Sequence, residues 1–245
     1  MTYKRLVVTT SWDDTRAGWR LSNLLESYGL KATFYVVSNW IGKTISIDEL
    51  RSMSEVFELG AHTKSHVILT KVSNEVAKRE ISGSKIDLEK KITHVTSFAY
   101  PHGLYRKEHV AMVREAGFLC ARTTKPFSVD ACNPFEINVT LQAAPHRLID
   151  AKGLARCFRI TPKIFLRLDL FKKWDLLGKI LFDSLLRTGG VFHLWGHEWE
   201  IEQYKSWSRL EDLLAHIAFR RNVTYLTVTD CATMLCNNRK NAKFC

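Results

Sequence analysis

Two histidines four positions apart and a pair of adjacent aspartates are the residues of this sequence best suited to hold a metal ion. His62 and His66 would lie on one face of a turn of helix, where both imidazoles could bind one ion. Side chains of neighbouring strand residues diverge, so one carboxylate of Asp13 and Asp14 could complete the ligand set while the other acts as a base. Two imidazoles and one carboxylate suit zinc or another late divalent ion. The spacing therefore predicts a metal site with positions open for water and substrate.

Each pair also has an ordinary structural interpretation. Histidines at i and i+4 are often solvated residues of a helix surface, and the aspartates could cap a helix that begins near Ala17. Their positions favour the metal site. The aspartates follow the apolar run 6–11 and the first histidine follows residues 59–61, and both runs are predicted strands. A parallel barrel collects its catalytic groups at these strand ends.

The elements that must position these side chains alternate along the chain. Predicted strands cover residues 6–11, 32–37, 59–61, 97–100, 118–121, 137–141, 191–195 and 223–228. Predicted helices cover residues 17–28, 47–56, 73–92, 108–116, 172–186 and 210–219. This alternation, without an internal repeat or a linker, predicts one α/β barrel. Residues 1–236 would form the single domain, and residues 237–245 a polar, basic and frayed tail.

The composition is that of a globular chain with an excess of positive charge. The 245 residues are 46% hydrophobic, and 36 Lys and Arg against 25 Asp and Glu give a net charge of +11. That charge would suit an acidic partner, but the absence of zinc-finger, RNP and basic heptad patterns argues against nucleic acid. The six cysteines include no C-x-x-C pair and are predicted to be mostly free thiols. With no signal-peptide pattern and no apolar run near ~18 residues, a soluble cytoplasmic protein is expected.

Four segments resemble the motifs of a known family. Residues 10–14, T-S-W-D-D, resemble the T-F-D-D motif of the polysaccharide deacetylases with NodB homology, the family related to carbohydrate esterase family 4. Residues 62–66, H-T-K-S-H, resemble the H-S/T-x-x-H metal motif of that family. Residues 100–103, Y-P-H-G, and 191–200, V-F-H-L-W-G-H-E-W-E, are similar to its third and fifth motifs. Order and separation also match, and the resemblance spans residues 6 to about 200.

The resemblance implies a distorted (β/α) barrel of the NodB type, with seven or eight strands. It also implies a metal-dependent hydrolase that removes the N-acetyl group from an N-acetylated sugar or glycan. Asp14, His62 and His66 would bind the metal, with zinc the first choice, and Asp13 would be the general base for a metal-activated water. A backbone N–H at or beside His102 would stabilise the oxyanion, and a histidine of the fifth motif would protonate the leaving amine.

Two positions depart from the family pattern. Ala99 stands where the third motif has arginine, and we expect Arg122, at the end of the following strand, to supply the missing charge beside the base. Arg122 could instead be an ordinary surface charge. The combination Y-P-x-G, A-R-T-T and W-G-H-x-x-E resembles a recurring subgroup of the family. A clear D-x-x-D-W fourth motif is missing, and Asp130 is a candidate remnant of it.

The fifth motif offers two histidines for the role of acid. His197 follows Gly196 on the expected catalytic loop and is preferred. Glu200 could support a residue that contacts the metal or the substrate. His193 is the alternative acid, and its structural interpretation is a buried core residue. Although aromatic residues are more often found in cores, four residues are predicted to contact the substrate: Tyr100, Pro101, Trp195 and Trp199.

Three further possibilities stay open at this point. A branch of the family that resembles allantoinases cleaves cyclic amides, and a degenerate relative would bind glycans without catalysis. Residues 147–187 hold ten Lys or Arg against four Asp and mix these cations with large apolar residues. Such a segment could contact an anionic membrane surface, which would favour a lipid-linked sugar as substrate, or its apolar residues could pack on the barrel.

Overall fold

Eight strands and nine helices form the part of the chain that the structure describes. It is a computed structural model, and it describes residues 5–129, 133–145, 151–162 and 168–242. The strands are β1 (Leu6–Asp13), β2 (Ala32–Val36), β3 (Glu58–Ala61), β4 (Ser97–Ala99), β5 (Cys120–Arg122), β6 (Leu141–Gln142), β7 (Gly190–His197) and β8 (Val223–Tyr225). The helices are α1 (Arg20–Ser27), α2 (Ile47–Ser54), α3 (Asn74–Lys91), α4 (Lys107–Glu115), α5 (Ala151–Ile160), α6 (Trp174–Thr188), α7 (Glu198–Gln203), α8 (Trp207–Ile217) and α9 (Val228–Ala242).

All eight strands pair in parallel in one curled sheet. The order is β5-β4-β3-β2-β1-β7-β6, and β8 pairs with the first residues of β1. Strand β1 therefore pairs with β7 along its whole length, while its other side is shared between β8 and β2. The segment 137–142 crosses between the sheet edges, since Ile137 bridges Arg122 of β5 and β6 pairs with β7. The predicted NodB-type distorted (β/α) barrel is confirmed.

The core fills the barrel and the space beneath its helices. Strand β1 is buried along all eight residues, as expected for a parallel strand that is covered on both faces. The helices contribute apolar stripes at helical spacing, such as Leu21 and Leu25 of α1. Gly29 and Gly117 follow α1 and α4 with φ of 60° and 83°. These left-handed conformations suit glycine and let the chain turn back towards the sheet.

Several element predictions need correction. Only residue 141 of the predicted strand 137–141 lies in β6, because this segment crosses from one strand to another instead of following one partner. The predicted last strand, 223–228, ends at Tyr225, and Val228 begins helix α9. The sequence does carry a weak signal for α9, since its buried residues Val228, Cys231 and Ala232 and the partly buried Leu235 recur at helical spacing. Within the predicted tail, residues 237–242 continue this helix.

The basic segment 147–187 lies partly outside the described residues, at 147–150 and 163–167. Where it is described, Leu170, Phe171 and Trp174 are buried in the core, whereas Lys172 and Lys173 are exposed. The packing interpretation therefore holds for these three apolar side chains. Across the described ranges, no helix combines the length and the apolar character needed to cross a membrane.

Candidate metal centre and catalytic cleft

One cleft at the carboxyl ends of the strands brings together most of the predicted site residues. It has a volume of about 380 Å³. Its lining consists of Asp13, Asp14, His62, His66, His102, Thr124, Gln142, Trp195, His197, Trp199 and Glu200. Residues 124 and 142 are not among the sequence predictions. Asp130, the candidate remnant of a fourth motif, lies outside the described residues.

The two aspartates reach the same cleft because the chain turns sharply between them. Asp13 is the last residue of β1, and Asp14 has a φ of 55°. This left-handed conformation is uncommon for residues other than glycine, and aspartate is one of the residues that tolerate it. It ends the alternation of the strand, so both carboxylates line the cleft instead of facing opposite sides of the sheet.

The two histidines of the metal motif lie on a tight turn, and the predicted turn of helix is wrong. Thr63 and His66 have φ of 60° and 58°, which a helix excludes. The turn still brings the Nε2 atoms of His62 and His66 to 3.2 Å. Nδ1 of His62 lies 2.8 Å from the Ala99 carbonyl oxygen and donates to it, which leaves Nε2 of that ring as the ligand atom.

The three predicted ligands fit a divalent cation. Asp14, His62 and His66 each offer one atom that could bind a metal, and these three atoms lie within 4.8 Å of one another. Oδ1 of Asp14 is buried without a hydrogen-bond partner and lies 3.4 Å from Nε2 of His66. A buried carboxylate oxygen without a donor is costly unless a cation compensates it. Burial lowers the pKa of His62 to about 4, so this imidazole is neutral, as a metal ligand must be.

Asp13 forms a buried ion pair with Arg122. Nη2 of the arginine contacts Oδ1 of the carboxylate, and the arginine is fully buried, so its interpretation as a surface charge is wrong. Burial alone would raise the pKa of Asp13, but Arg122 and then His62 lower it overall. Arg122 is the register partner of Ala99 on the neighbouring strand. The guanidinium therefore enters at the level of the missing third-motif arginine, one strand further along.

His197 is the histidine of the fifth motif that lies in the cleft. Its Nδ1 atom is 2.6 Å from Oε2 of Glu200, and its Nε2 atom is 3.9 Å from Oδ2 of Asp14. Gln142 donates to Oε2 of Glu200 at 3.1 Å. Burial alone would lower the pKa of His197, but the hydrogen bond to Glu200 and the nearby Asp13 raise it overall. The cleft therefore holds a histidine whose protonated form is stabilised.

His193 occupies the interior of the barrel. It is fully buried, and its Nε2 atom is 2.8 Å from Oγ of Ser11. Burial, followed by the charge of Arg122, lowers its pKa to about 3. It does not line the cleft, so the structure places this residue where the core interpretation expects it.

The predicted substrate-binding residues separate into two groups. Trp199 is 36% exposed and lines the cleft, and Trp195 lines it with only 6% of its surface exposed. Tyr100 is fully buried, with its hydroxyl donating to the Phe135 carbonyl at 3.1 Å, and Pro101 is buried as well. The structure therefore does not bring these last two side chains to the cleft, because they are the buried residues of the third motif.

The third motif itself turns at the cleft wall. His102 is exposed with a φ of 57°, and its ring centroid is 4.9 Å from that of His66. A Cβ atom on Gly103 would overlap Oγ1 of Thr124. This contact explains the glycine of the motif. The sequence signal for Thr124 as a wall residue is its place in the A-R-T-T segment, directly after the end of β5. Gln142 had no such signal, since its two-residue strand carries no periodicity.

The fold and the cleft together define a barrel of the NodB-homology type. The family model for polysaccharide deacetylase matches residues 2–121, so this part of the chain is similar to that family. No curated protein sequence matches the chain.

Solved structures agree with this fold. A Mycobacterium smegmatis protein, described as a candidate polysaccharide deacetylase, has a TM-score of 0.72 at 14% identity, covering 97% of this chain and 92% of that chain. The Xyl-CE4 domain of a multidomain xylanase from the hindgut metagenome of Trinervitermes trinervoides has a TM-score of 0.58 at 11% identity, covering 96% and 92%. Streptococcus pyogenes deacetylase PplD has a TM-score of 0.50 at 22% identity, and the match covers 53% of this chain and 62% of that protein. At these identities the likeness shows the fold.

Proposed function

We propose that this protein is a metal-dependent hydrolase that removes the N-acetyl group from an N-acetylated sugar. One observation carries the proposal. A carboxylate and two imidazoles that fit a divalent ion lie in the same cleft as an ionised aspartate and a histidine whose pKa is raised. A hydrolase needs a base for its water and an acid for its leaving group, and here the lowered pKa keeps Asp13 ionised while the raised pKa favours the protonated form of His197. The family match supports the same reaction class.

The ligands and the metal have distinct parts in this proposal. Asp14, His62 and His66 would hold the ion, and zinc is our first choice for a set of two imidazoles and one carboxylate. When bound, the ion would supply Lewis-acid polarisation of the amide carbonyl and a lowered pKa for water.

Asp13 is proposed as the general base. Its Oδ2 atom lies 3.8 Å from Nε2 of His62, so it faces the ligand set, while Oδ1 is held by Arg122. Arg122 keeps the carboxylate ionised and able to accept a proton. The oxygen of water forms a bond to the acetamide carbon while its proton passes to Asp13.

His197 is proposed as the general acid. It donates its Nε2 proton to the sugar nitrogen as the C–N bond breaks, which releases acetate and the free amine. Glu200 holds Nδ1 and sets the orientation of the ring. The Gly103 N–H donates to the Tyr100 carbonyl at 2.8 Å, so the neighbouring His102 N–H is the candidate donor to the oxyanion.

The cleft suits one sugar unit more than a long polymer segment. Its volume of about 380 Å³ is at the lower end of the range for small-molecule sites, roughly 300–1,000 Å³. Trp199 offers an exposed indole face at its edge. Acetate release should be measured on N-acetylglucosamine oligomers, peptidoglycan fragments and lipid-linked amino sugars, together with metal analysis of the purified protein.

The same assay separates the alternatives. Hydrolysis of cyclic ureides without acetate release would favour the allantoinase-like reaction. Metal binding at one ion per chain without turnover on any substrate of the panel would favour a glycan-binding relative.

A lipid-linked substrate would require contact with an anionic membrane surface. Because Leu170, Phe171 and Trp174 beside Lys172 and Lys173 are buried, such contact would depend mainly on the exposed cations. Sedimentation with anionic vesicles should then show binding that weakens with salt and falls when both lysines are replaced by glutamate. Equal sedimentation with neutral vesicles would argue against it.

A further inference from the structure

The guanidinium of Arg122 contacts two aromatic rings as well as the proposed base. Its Cζ atom lies 5.1 Å from the ring centroid of Tyr35 and 5.0 Å from that of Trp195. Tyr35 is on β2 and Trp195 is on β7, the two strands that flank β1, which carries Asp13. We name Tyr35 and Trp195 the aromatic clamp. Both distances are within the ~6 Å at which a cation and an aromatic ring attract each other.

Packing fixes both rings of the aromatic clamp. Tyr35 is fully buried, and a Cβ atom on Gly60, its register partner on β3, would overlap the Tyr35 ring. Trp195 is 6% exposed, and its ring meets the His197 ring edge to face at 5.4 Å. Trp195 therefore contacts the partner of the proposed base and the proposed acid at once.

Hydrogen bonds alone leave the Arg122 guanidinium poorly compensated. Its Nε atom is buried without a hydrogen-bond partner, and its Nη1 atom donates to the Thr123 carbonyl at a long 3.4 Å. A buried guanidinium is always charged and needs compensation from its surroundings. The ion pair with Asp13 supplies part of this, and the electron-rich ring faces supply another part.

We infer that Tyr35 and Trp195 are positioning residues that hold the Arg122 guanidinium against Asp13. The inference rests on the proposed function, and it assigns Trp195 to the support of the base rather than to sugar stacking. Trp199 remains the indole available to the substrate.

The first test compares turnover of Trp195→Leu and Trp195→Phe on the acetylated substrate. Loss of a cation–π contact should lower kcat roughly 2- to 30-fold with little change in KM, and phenylalanine should restore most of it. Trp207→Leu is the matched control, since Trp207 is 8% exposed and stacks under Arg20 at 4.2 Å away from the cleft. This control should keep kcat within about twofold of the original protein. A rise in KM at unchanged kcat in Trp195→Leu would return Trp195 to substrate binding and overturn the inference.

A double-mutant cycle tests whether Trp195 acts through Arg122. The effects of Trp195→Leu and Arg122→Lys on kcat should be clearly less than additive, because either change releases the same contact. Additive effects would contradict the inference. Metal content should stay at the level of the original protein in all of these variants.

NMR of the Arg122 side chain provides a readout that needs no turnover. In arginine-labelled protein, the buried Nε–H should exchange slowly with solvent, and Trp195→Leu should accelerate its exchange well beyond Trp207→Leu. Equal exchange in both variants would overturn the inference even if the protein is a deacetylase. If the original protein releases no acetate, the proposed function fails, while the exchange experiment still decides whether the rings hold the guanidinium.

Discussion

Two carboxylates at opposite ends of the barrel have contrasting surroundings. Glu58, at the first residue of β3, accepts hydrogen bonds from the Thr33 hydroxyl at 2.5 Å, the Thr96 hydroxyl at 3.3 Å, and both the backbone N–H and the hydroxyl of Thr229. Oδ1 of Asp14, at the other end, is buried without any hydrogen-bond donor. The donors around Glu58 lie on β2, on the residue before β4 and on α9, and they hold these elements against β3, which makes it a structural carboxylate. Glu58 is partly buried and Asp14 is buried, so both carboxylates are shielded from solvent, and the missing partner is what distinguishes the candidate site.

The contrast between Asp14 and Glu58 is tested most strongly by removing His66, a proposed metal ligand beside Asp14. His66→Ala should lose the bound metal, and turnover should fall to background, beyond the ~10²–10⁴-fold loss expected from proton transfer alone. Metal analysis and acetate release measure both effects. His94→Ala is the control, because that histidine is exposed and pairs with Glu89 away from the cleft. Full metal stoichiometry in His66→Ala would remove this histidine from the ligand set.

The next largest effect is expected at the proposed base. Asp13→Asn should keep the metal and lower kcat by ~10²–10⁴-fold, because the amide cannot accept the proton. Single-turnover rates and metal content should be measured on the same sample. Asp48→Asn, at a side chain that is 95% exposed, should leave both unchanged. A near-normal rate in Asp13→Asn would assign the proton transfer to another group.

A smaller effect on turnover is expected at Glu200, the carboxylate that is hydrogen-bonded to His197. Glu200→Gln removes a cause that raises the pKa of His197, so this pKa should fall. Because an acid must be protonated, activity is lost as pH rises through the pKa of His197, and the alkaline limit should move to lower pH. We expect roughly a tenfold loss of kcat near that limit, as for other supporting carboxylates. Glu202→Gln on the same helix, an exposed partner of Arg20, should leave the profile in place, and an unmoved profile in Glu200→Gln would contradict the role.

Substitution of Glu58, at the end of the barrel opposite the cleft, should leave catalysis unchanged. Glu58→Ala leaves the hydroxyls of Thr33, Thr96 and Thr229 without their acceptor, which should cost about 1–3 kcal/mol in the free energy of unfolding. Urea titration measures this loss. Metal content and kcat of the folded protein should match the original. A fall in metal content as large as that of His66→Ala would break the distinction between the two ends.

The strand ends that carry the site are predictable from sequence, and the path of the chain beyond them is not. An apolar run that stops at Asp13 or His62 marks a strand end, and this signal placed both residues correctly at strand ends of the barrel. The left-handed conformations of Asp14 and His66 have no such signal, because neither is a glycine. The predicted helical turn failed for that reason.

The contacts that support Asp13 and His197 also differ in how far the sequence predicts them. Arg122 could be predicted because a charge was missing from a recognisable motif and a cation stood at the next strand end. Gln142 could not, since its position depends on where a short crossing segment meets β7. The aromatic clamp also depends on register between strands that are distant in sequence, which a linear pattern does not encode.

The register of Ala99 with Arg122 has a consequence for recognising such proteins. The two positions lie side by side on adjacent strands, so an arginine can occur at either position and stay at the same level of the barrel. A text pattern that demands arginine four residues before the glycine of the third motif would reject this chain, even though a guanidinium reaches Asp13. A search template that specifies positions in the barrel, and that allows either of two neighbouring strands to supply the cation, would accept it. Homologue surveys built on such templates would count exchanges between neighbouring strands as equivalents rather than as losses.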